Sequence, residues 1–264
     1  MMSELEENAI LVERRDGLGI ITVNRPKVLN AVDVPTVLKL QEVAEELIAD
    51  DSVRIIVLTG TGPRAFIAGG DIGAELAMNG LDSFHWAHIG HKFCSTLENC
   101  AKPVIAAIDG YCLGGGLELA MACDFRICTD KAMFGAPECK LGVICGFGGN
   151  ARLPRLIGPA KAKEFLMSGL FFDAQEAYRL NFVNKVVPQD QLMAAVDEFC
   201  VPLLNKSANV LDIIKKMVNY GSEIDLRSAI QFEAAMFGLV SGTEDKKEGM
   251  SAFLEKRPSK FTDK

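Results

Sequence analysis

Three consecutive glycines, Gly114-Gly115-Gly116, open the helix-forming run Leu117-Glu118-Leu119-Ala120-Met121-Ala122 a few residues after the strand-like stretch Pro103-Val104-Ile105-Ala106-Ala107-Ile108. Backbone without side-chain bulk brings its N–H groups close to a ligand. Two further elements of this kind frame the run: Ala65-Phe66-Ile67-Ala68-Gly69-Gly70-Asp71-Ile72 upstream and Phe134-Gly135-Ala136-Pro137-Glu138 downstream. Two of the three end on a glutamate, Glu118 or Glu138. Paired backbone donors with paired carboxylates suggest chemistry beside a carbonyl.

Around these motifs the pattern is mixed α/β. Ile10-Leu11-Val12 and Leu18-Gly19-Ile20-Ile21-Thr22-Val23, joined through Arg15-Asp16-Gly17, read as a hairpin with Asp-Gly in its turn. Val37, Leu38, Leu40, Val43, Ala44 and Leu47 recur at helical spacing opposite Lys39, Glu42, Glu45 and Glu46, predicting a helix over 34–50. Val53–Leu58, Pro103–Ile108 and Asp124–Cys128 are short and β-branched, hence strands, with helices between them. After Pro188 the strand signal fades, and helices are expected over 189–204, 210–220, 226–240 and 246–254. Residues 1–188 form the core of this reading, and 189–264 a helical C-terminal region that is not an independent domain.

With 264 residues, 49% hydrophobic and 24% charged, the chain can bury an ordinary globular core. A net charge of −7 argues against nucleic acid or an acidic membrane surface as partner, since counterion release needs clustered Lys and Arg. Met1-Met2-Ser3-Glu4-Leu5-Glu6-Glu7 is acidic and does not read as a signal peptide, and no apolar run is long enough to span a bilayer. The 8 cysteines include no CxxC pair and read mostly as reduced core residues, which implies a cytoplasmic setting. Gly60-Thr61-Gly62-Pro63-Arg64-Ala65 nearly matches a dinucleotide fingerprint, but Phe66-Ile67-Ala68-Gly69-Gly70 cannot begin the helix that such a site needs.

The three motifs, in this order, resemble the crotonase (enoyl-CoA hydratase/isomerase) family. Further matches are Asn24-Arg25-Pro26-Lys27-Val28-Leu29-Asn30-Ala31, Cys123-Asp124-Phe125-Arg126 and the segment from Glu248 to Arg257. The resemblance implies a spiral of ββα units, with a C-terminal helical region that packs in trimers or a dimer of trimers. It assigns the N–H groups of Gly70 and Gly115 to an oxyanion hole, where fixed donors stabilise a thioester enolate without reorganising. Glu118 would hold and deprotonate water, Glu138 would deliver the α-proton, and the Gly146 N–H would help to position that water. Lys27, Val28 and Ala68 would lie along coenzyme A, Asp71, Ile72, Gly114 and Pro137 would line the substrate, and Phe253 and Lys256 would complete the site, often from another subunit. The implied reaction is reversible hydration of a trans-2-enoyl-CoA, with coenzyme A as part of the substrate and no further cofactor or metal.

Retention of both acids favours a hydratase over isomerases, decarboxylases, hydrolases and dehalogenases, which often alter one or both. Two departures point to an unusual acyl group: Cys145 stands where proline is common, and Asn150-Ala151-Arg152 replaces the frequent Thr-Gln-Arg. Double-bond isomerisation and hydration of a cyclic dienoyl-CoA are therefore carried as alternatives, with a non-catalytic scaffold or RNA-binding relative behind them. Cys145 is read as a packing residue. His85, His88 and His91 spread over too broad a helical arc to converge on one ion, so surface or packing roles are expected.

Overall fold

A computed structural model describes residues 9–264, so the signal-peptide reading of Met1–Glu7 lies outside the described residues. Strands β1 (Ile10–Arg15) and β2 (Leu18–Val23) form the expected hairpin. Asp16 and Gly17 take positive φ, 50° and 79°, as a tight two-residue turn between twisted strands requires. Helix α1 (Val34–Ala49) follows, capped by Asp33, whose side chain accepts the N–H of Thr36.

Three turns of one repeat come next. The first runs through β3 (Ile55–Gly60) and β4 (Ala65–Ile67) into α2 (Ile72–Glu75) and α3 (Gly80–Asn99). The second runs through β5 (Val104–Ile108) and β6 (Tyr111–Leu113) into α4 (Gly115–Met121). The third runs through β7 (Phe125–Thr129) and β8 (Met133–Gly135) into a 3-10 turn, Pro137–Leu141, then α5 (Gly149–Ile157) and α6 (Pro159–Ser168). Strand β9 (Phe171–Asp173), α7 (Ala174–Arg179) and β10 (Lys185–Val187) close the spiral. Helices α8 (Leu192–Leu204), α9 (Ala208–Gly221), α10 (Leu226–Ser241) and α11 (Glu244–Leu254) complete the chain. The Gly60–Ala65 stretch leads into strand β4 rather than a helix, so the dinucleotide reading fails there as expected.

Each repeat sends its first strand to a six-stranded sheet ordered β1-β2-β3-β5-β7-β10 and its second to a four-stranded sheet ordered β4-β6-β8-β9. The architecture is the α/β spiral of ββα units that the resemblance implied. Alternation along the strands splits the core in two. Ile56, Leu58, Val104, Ala106 and Ile108 pack with Val37, Leu40 and Leu47 of α1 and Phe93 and Leu97 of α3. Ile55, Val57, Ile105 and Ala107 face the other way, onto Leu192, Val196 and Cys200 of α8. The large sheet is thus covered on both faces, as a mostly parallel sheet must be, and each such fully buried aliphatic side chain contributes about 2 kcal/mol.

Helix α9 is fastened by a buried lysine. Lys215 donates to the carbonyls of Leu97 (2.7 Å) and Lys102 (3.1 Å) and pairs with Asp124 at 2.9 Å. The same Asp124 oxygen accepts the N–H of Val104. Arg126, also buried, donates to the carbonyls of Phe182, Ala120 and Cys123. The Cys123-Asp124-Phe125-Arg126 motif is therefore an internal brace. Seven of the eight cysteines are buried and all are free, in line with their reading as core residues, while Cys139 is exposed.

Candidate active site

The small sheet explains why three motifs far apart in sequence meet. Strands β4, β6 and β8 are parallel hydrogen-bonded neighbours, and Gly70, Gly115–Glu118 and Glu138 each follow the C-terminal end of one of them. Gly70 forms a parallel bridge with Val32 that uses the Gly69 carbonyl and the Asp71 N–H. The N–H of Gly70 is left outside that ladder. Gly115 begins α4, so its N–H has no partner within the helix. A β-carbon on Gly115 would stand 3.6 Å from the Gly70 nitrogen, so the two amides are close neighbours. Gly69 at φ 113° and Gly114 at φ 51° hold backbone conformations that side chains disfavour, and a β-carbon on Gly114 would come 3.1 Å from the Glu138 carboxylate.

Glu118 is 2% exposed. Its Oε1 accepts two backbone N–H groups, from Phe147 at 2.7 Å and Gly149 at 2.6 Å. Burial pushes its carboxyl up to about 7; the charge of Glu138 adds to the rise, and the two N–H donors hold it back. Glu138, on the 3-10 turn after β8, is half-buried and also raised, first by burial and further by the charge of Glu75. Its Oε2 is buried without a protein hydrogen-bond partner. The Cys145 sulfur lies within 4.8 Å of the Glu138 carboxylate, and burial pushes that thiol far above its ordinary range.

The loop that carries Cys145, Gly146 and Phe147 is clamped from behind. Arg152 donates to the Phe147 carbonyl at 2.7 Å and forms a two-pronged pair with Glu98, at 2.5 and 2.8 Å. Phe147 packs edge-on against Trp86 at 4.7 Å between ring centroids, over Gly90, where any β-carbon would strike the Phe147 ring. Gly146 is half-buried with open space on its side-chain face. Sequence reasoning missed Glu98, Glu75 and Trp86. Glu98 and Arg152 are 54 residues apart, and no local spacing links them.

The remaining candidates divide into two groups. Lys27 and Val28 stand exposed on the turn Pro26–Val28, which the bond from the Ala68 N–H to the Leu29 carbonyl ties to the end of β4. Asn30, in left-handed backbone, donates to the carbonyls of Thr61 and Ala65, and Arg25 reaches Asp33 and Asp71. Asp71 caps α2, Ile72 is exposed just after it, and Pro137 opens the 3-10 turn that bears Glu138. All of these border the glycines and acids. Phe253 and Lys256 are exposed at the end of α11, which is tied to the tail by Asp245 accepting the N–H groups of Thr262 and Asp263.

Among the described residues, one group has donor atoms spaced for a cation: Glu118, Glu138 and Cys145, within 4.8 Å of one another. Its neutral buried thiol is a poor ligand. His85, His88 and His91 are exposed along α3 and belong to no such group. A cavity of about 840 Å³ lies elsewhere, between α9 and the ends of α3, α4 and α5. Its cations Arg126, Arg152, Arg155 and Lys215 are all engaged with carbonyls or carboxylates.

Neighbouring backbone amides beside a buried and a half-buried carboxylate, both with raised pKa values, are the equipment of an enzyme that works by acid–base chemistry. A profile of the enoyl-CoA hydratase/isomerase family matches residues 13–264. The chain is 40% identical to a crotonyl-CoA hydratase of Syntrophomonas wolfei, over 97% of this chain and 98% of that one. It is 39% identical to a short-chain-enoyl-CoA hydratase of Clostridium acetobutylicum, over 96% and 97%. The crystal structure of an enoyl-CoA hydratase from Bacillus anthracis superposes with a TM-score of 0.93 at 33% identity, covering 97% of this chain and all of that one. The chain belongs to the enoyl-CoA hydratase/isomerase, or crotonase, family.

Proposed function

We propose that the protein reversibly hydrates a trans-2-enoyl-CoA to a 3-hydroxyacyl-CoA. The observation that carries this reading is the pair of the buried Glu118 and the half-buried Glu138, side by side with both carboxyls raised. Such a pair keeps one proton between two sites near neutral pH. Hydration needs that state: a base for the water and an acid for Cα. The thioester oxygen sits between the N–H groups of Gly70 and Gly115, where developing enolate charge is stabilised. Water lies against Glu118, whose orientation is fixed by Phe147 and Gly149, and takes a further bond from Gly146. It adds to Cβ as Glu118 accepts its proton, while Glu138 protonates Cα.

Coenzyme A extends along Lys27, Val28 and Ala68, and its acyl end is lined by Asp71, Ile72, Gly114 and Pro137. The reaction asks for no redox group or metal. In the proposed assembly, a trimer or a dimer of trimers, Phe253 and Lys256 of a neighbouring subunit complete the site. Exposed apolar side chains on the last three helices, among them Ile214, Val218, Ile230, Phe237 and Leu239, support the same assembly. Buried reduced cysteines support a cytoplasmic setting, and the net negative charge disfavours nucleic acid as partner. No helix among the described residues is long and apolar enough to cross a membrane. The test is incubation with crotonyl-CoA: the conjugated-thioester absorbance should fall as product mass rises by one water, and neither change would occur if the reading is wrong.

A further inference from the structure

A third carboxylate borders the acid pair and is used by nothing above. Glu75, at the end of α2, places Oε1 1.8 Å from the point where a β-carbon on Gly70 would stand, so its carboxylate lies directly against the backbone of the proposed oxyanion-hole residue. The indole N–H of Trp86 donates to that Oε1 at 3.0 Å and fixes the side chain. Trp86 in turn packs on Phe147, so Glu75 is built into the same wall as the loop that orients Glu118. Its charge also reaches Glu138. Among the described residues no Lys, Arg or His forms an ion pair with Glu75, and Trp86 is its one side-chain hydrogen-bond partner.

An ionised carboxylate has about four acceptor positions, so one indole N–H leaves most of them open. Its location is costly for a plain hydrocarbon substrate, because an anion beside Gly70 opposes the negative charge that develops on the thioester oxygen. A substrate that brings its own hydrogen-bond donor removes that conflict. We propose that Glu75 is a specificity-determining residue, selecting enoyl thioesters whose acyl group carries a hydroxyl or ammonium donor beyond Cβ. This rests on the hydratase reading and narrows its substrate class. A site built to bond a substrate hydroxyl discriminates strongly against the analogue that lacks it, because its acceptor is then left unpaired.

The experiment compares kcat/KM for 4-hydroxybut-2-enoyl-CoA, 4-aminobut-2-enoyl-CoA and crotonyl-CoA in the wild type, Glu75→Leu and Glu75→Gln. The wild type should favour at least one donor-bearing substrate over crotonyl-CoA by roughly tenfold or more. Glu75→Leu should reduce that ratio at least roughly tenfold, chiefly by losing the donor-bearing substrate and gaining crotonyl-CoA. Glu75→Gln, which keeps shape and one acceptor, should fall between and covers the case in which the leucine variant fails to fold. Crotonyl-CoA hydration with a ratio near one in the wild type, or a ratio unmoved by both substitutions, overturns the role of Glu75 while leaving the hydratase reading intact. Failure to hydrate any of the three overturns both.

Discussion

Glu98 grips Arg152 with both carboxylate oxygens, and Arg152 passes that hold to the carbonyl of Phe147 at 2.7 Å. The N–H of the same residue, Phe147, points to Glu118. An ion pair outside the site thus sets the angle at which one acid is presented. Replacing Arg152 with Met should lower kcat by roughly ten- to a hundredfold, the cost of small misplacement, with KM changed far less. Because the N–H donors hold the Glu118 carboxyl down, loosening them should also move the acidic limb of the kcat profile to higher pH. A pH–rate series decides this: a limb that stays in place would reduce the clamp to a purely structural part.

Glu118→Gln and Glu138→Gln should each lower hydration by at least roughly a hundredfold with fold and acyl-CoA binding retained. The double variant should lose less than the product of the two, since both acids serve one transition state. Glu138→Gln should in addition slow exchange of the α-proton with solvent. Steady-state kinetics with crotonyl-CoA and deuterium exchange measure these effects, and near-wild-type turnover in either single variant contradicts a two-acid mechanism.

The raised carboxyl of Glu118 has a stability consequence of definite sign. Its folded value of about 7 lies above the ordinary 4.5, so the folded state holds a proton that the unfolded state releases across that window. Stability is greatest below the lower value and is lost as pH rises towards the upper one. Glu118→Gln should therefore gain stability over the wild type at about pH 8 relative to about pH 5, by a few kcal/mol at most. Thermal unfolding at the two pH values measures it, and a gain confined to the acidic side contradicts the assignment.

Iodoacetamide should modify Cys139, which is exposed, and spare Cys145, whose buried thiol stays protonated. Cys145→Ala should keep turnover within an order of magnitude, whereas Cys145→Pro should change acyl preference by stiffening the loop. Peptide mass mapping and substrate profiling report the two effects. Rapid labelling of Cys145 with matching loss of activity would falsify its reading as a packing residue.

In solution the mass should be a multiple of three times 28.6 kDa. Light scattering reads it directly. A stable, active monomer would remove both the trimer and the contribution of Phe253 and Lys256 from a neighbouring subunit.

The long elements were legible because their periodicity is local. The Asp16-Gly17 turn and the capped helix Val34–Ala49 needed no tertiary information, and the expected helix end differed by one residue. Strands β4, β6 and β8 were not legible, since three residues each carry too little alternation to announce a strand, and only their pairing makes them one. The glycines and the two acids stood out as motifs. Their supports did not: Glu98 and Arg152 meet across 54 positions, and Glu75 gains meaning only when Trp86, on the next helix, turns its N–H towards it.

The small sheet makes the site modular. Successive rungs deliver Gly70, then Gly115 with Glu118, then Glu138, and neighbouring strands keep a fixed spacing of about 4.8 Å whatever the loops beyond them do. A change in the chain after one rung re-aims what that rung carries and leaves the others registered. What β4, β6 and β8 each carry can therefore vary separately in sequence. With the roles proposed above, a single frame can hold the oxyanion site constant while the proton chemistry on the third rung is exchanged for another reaction.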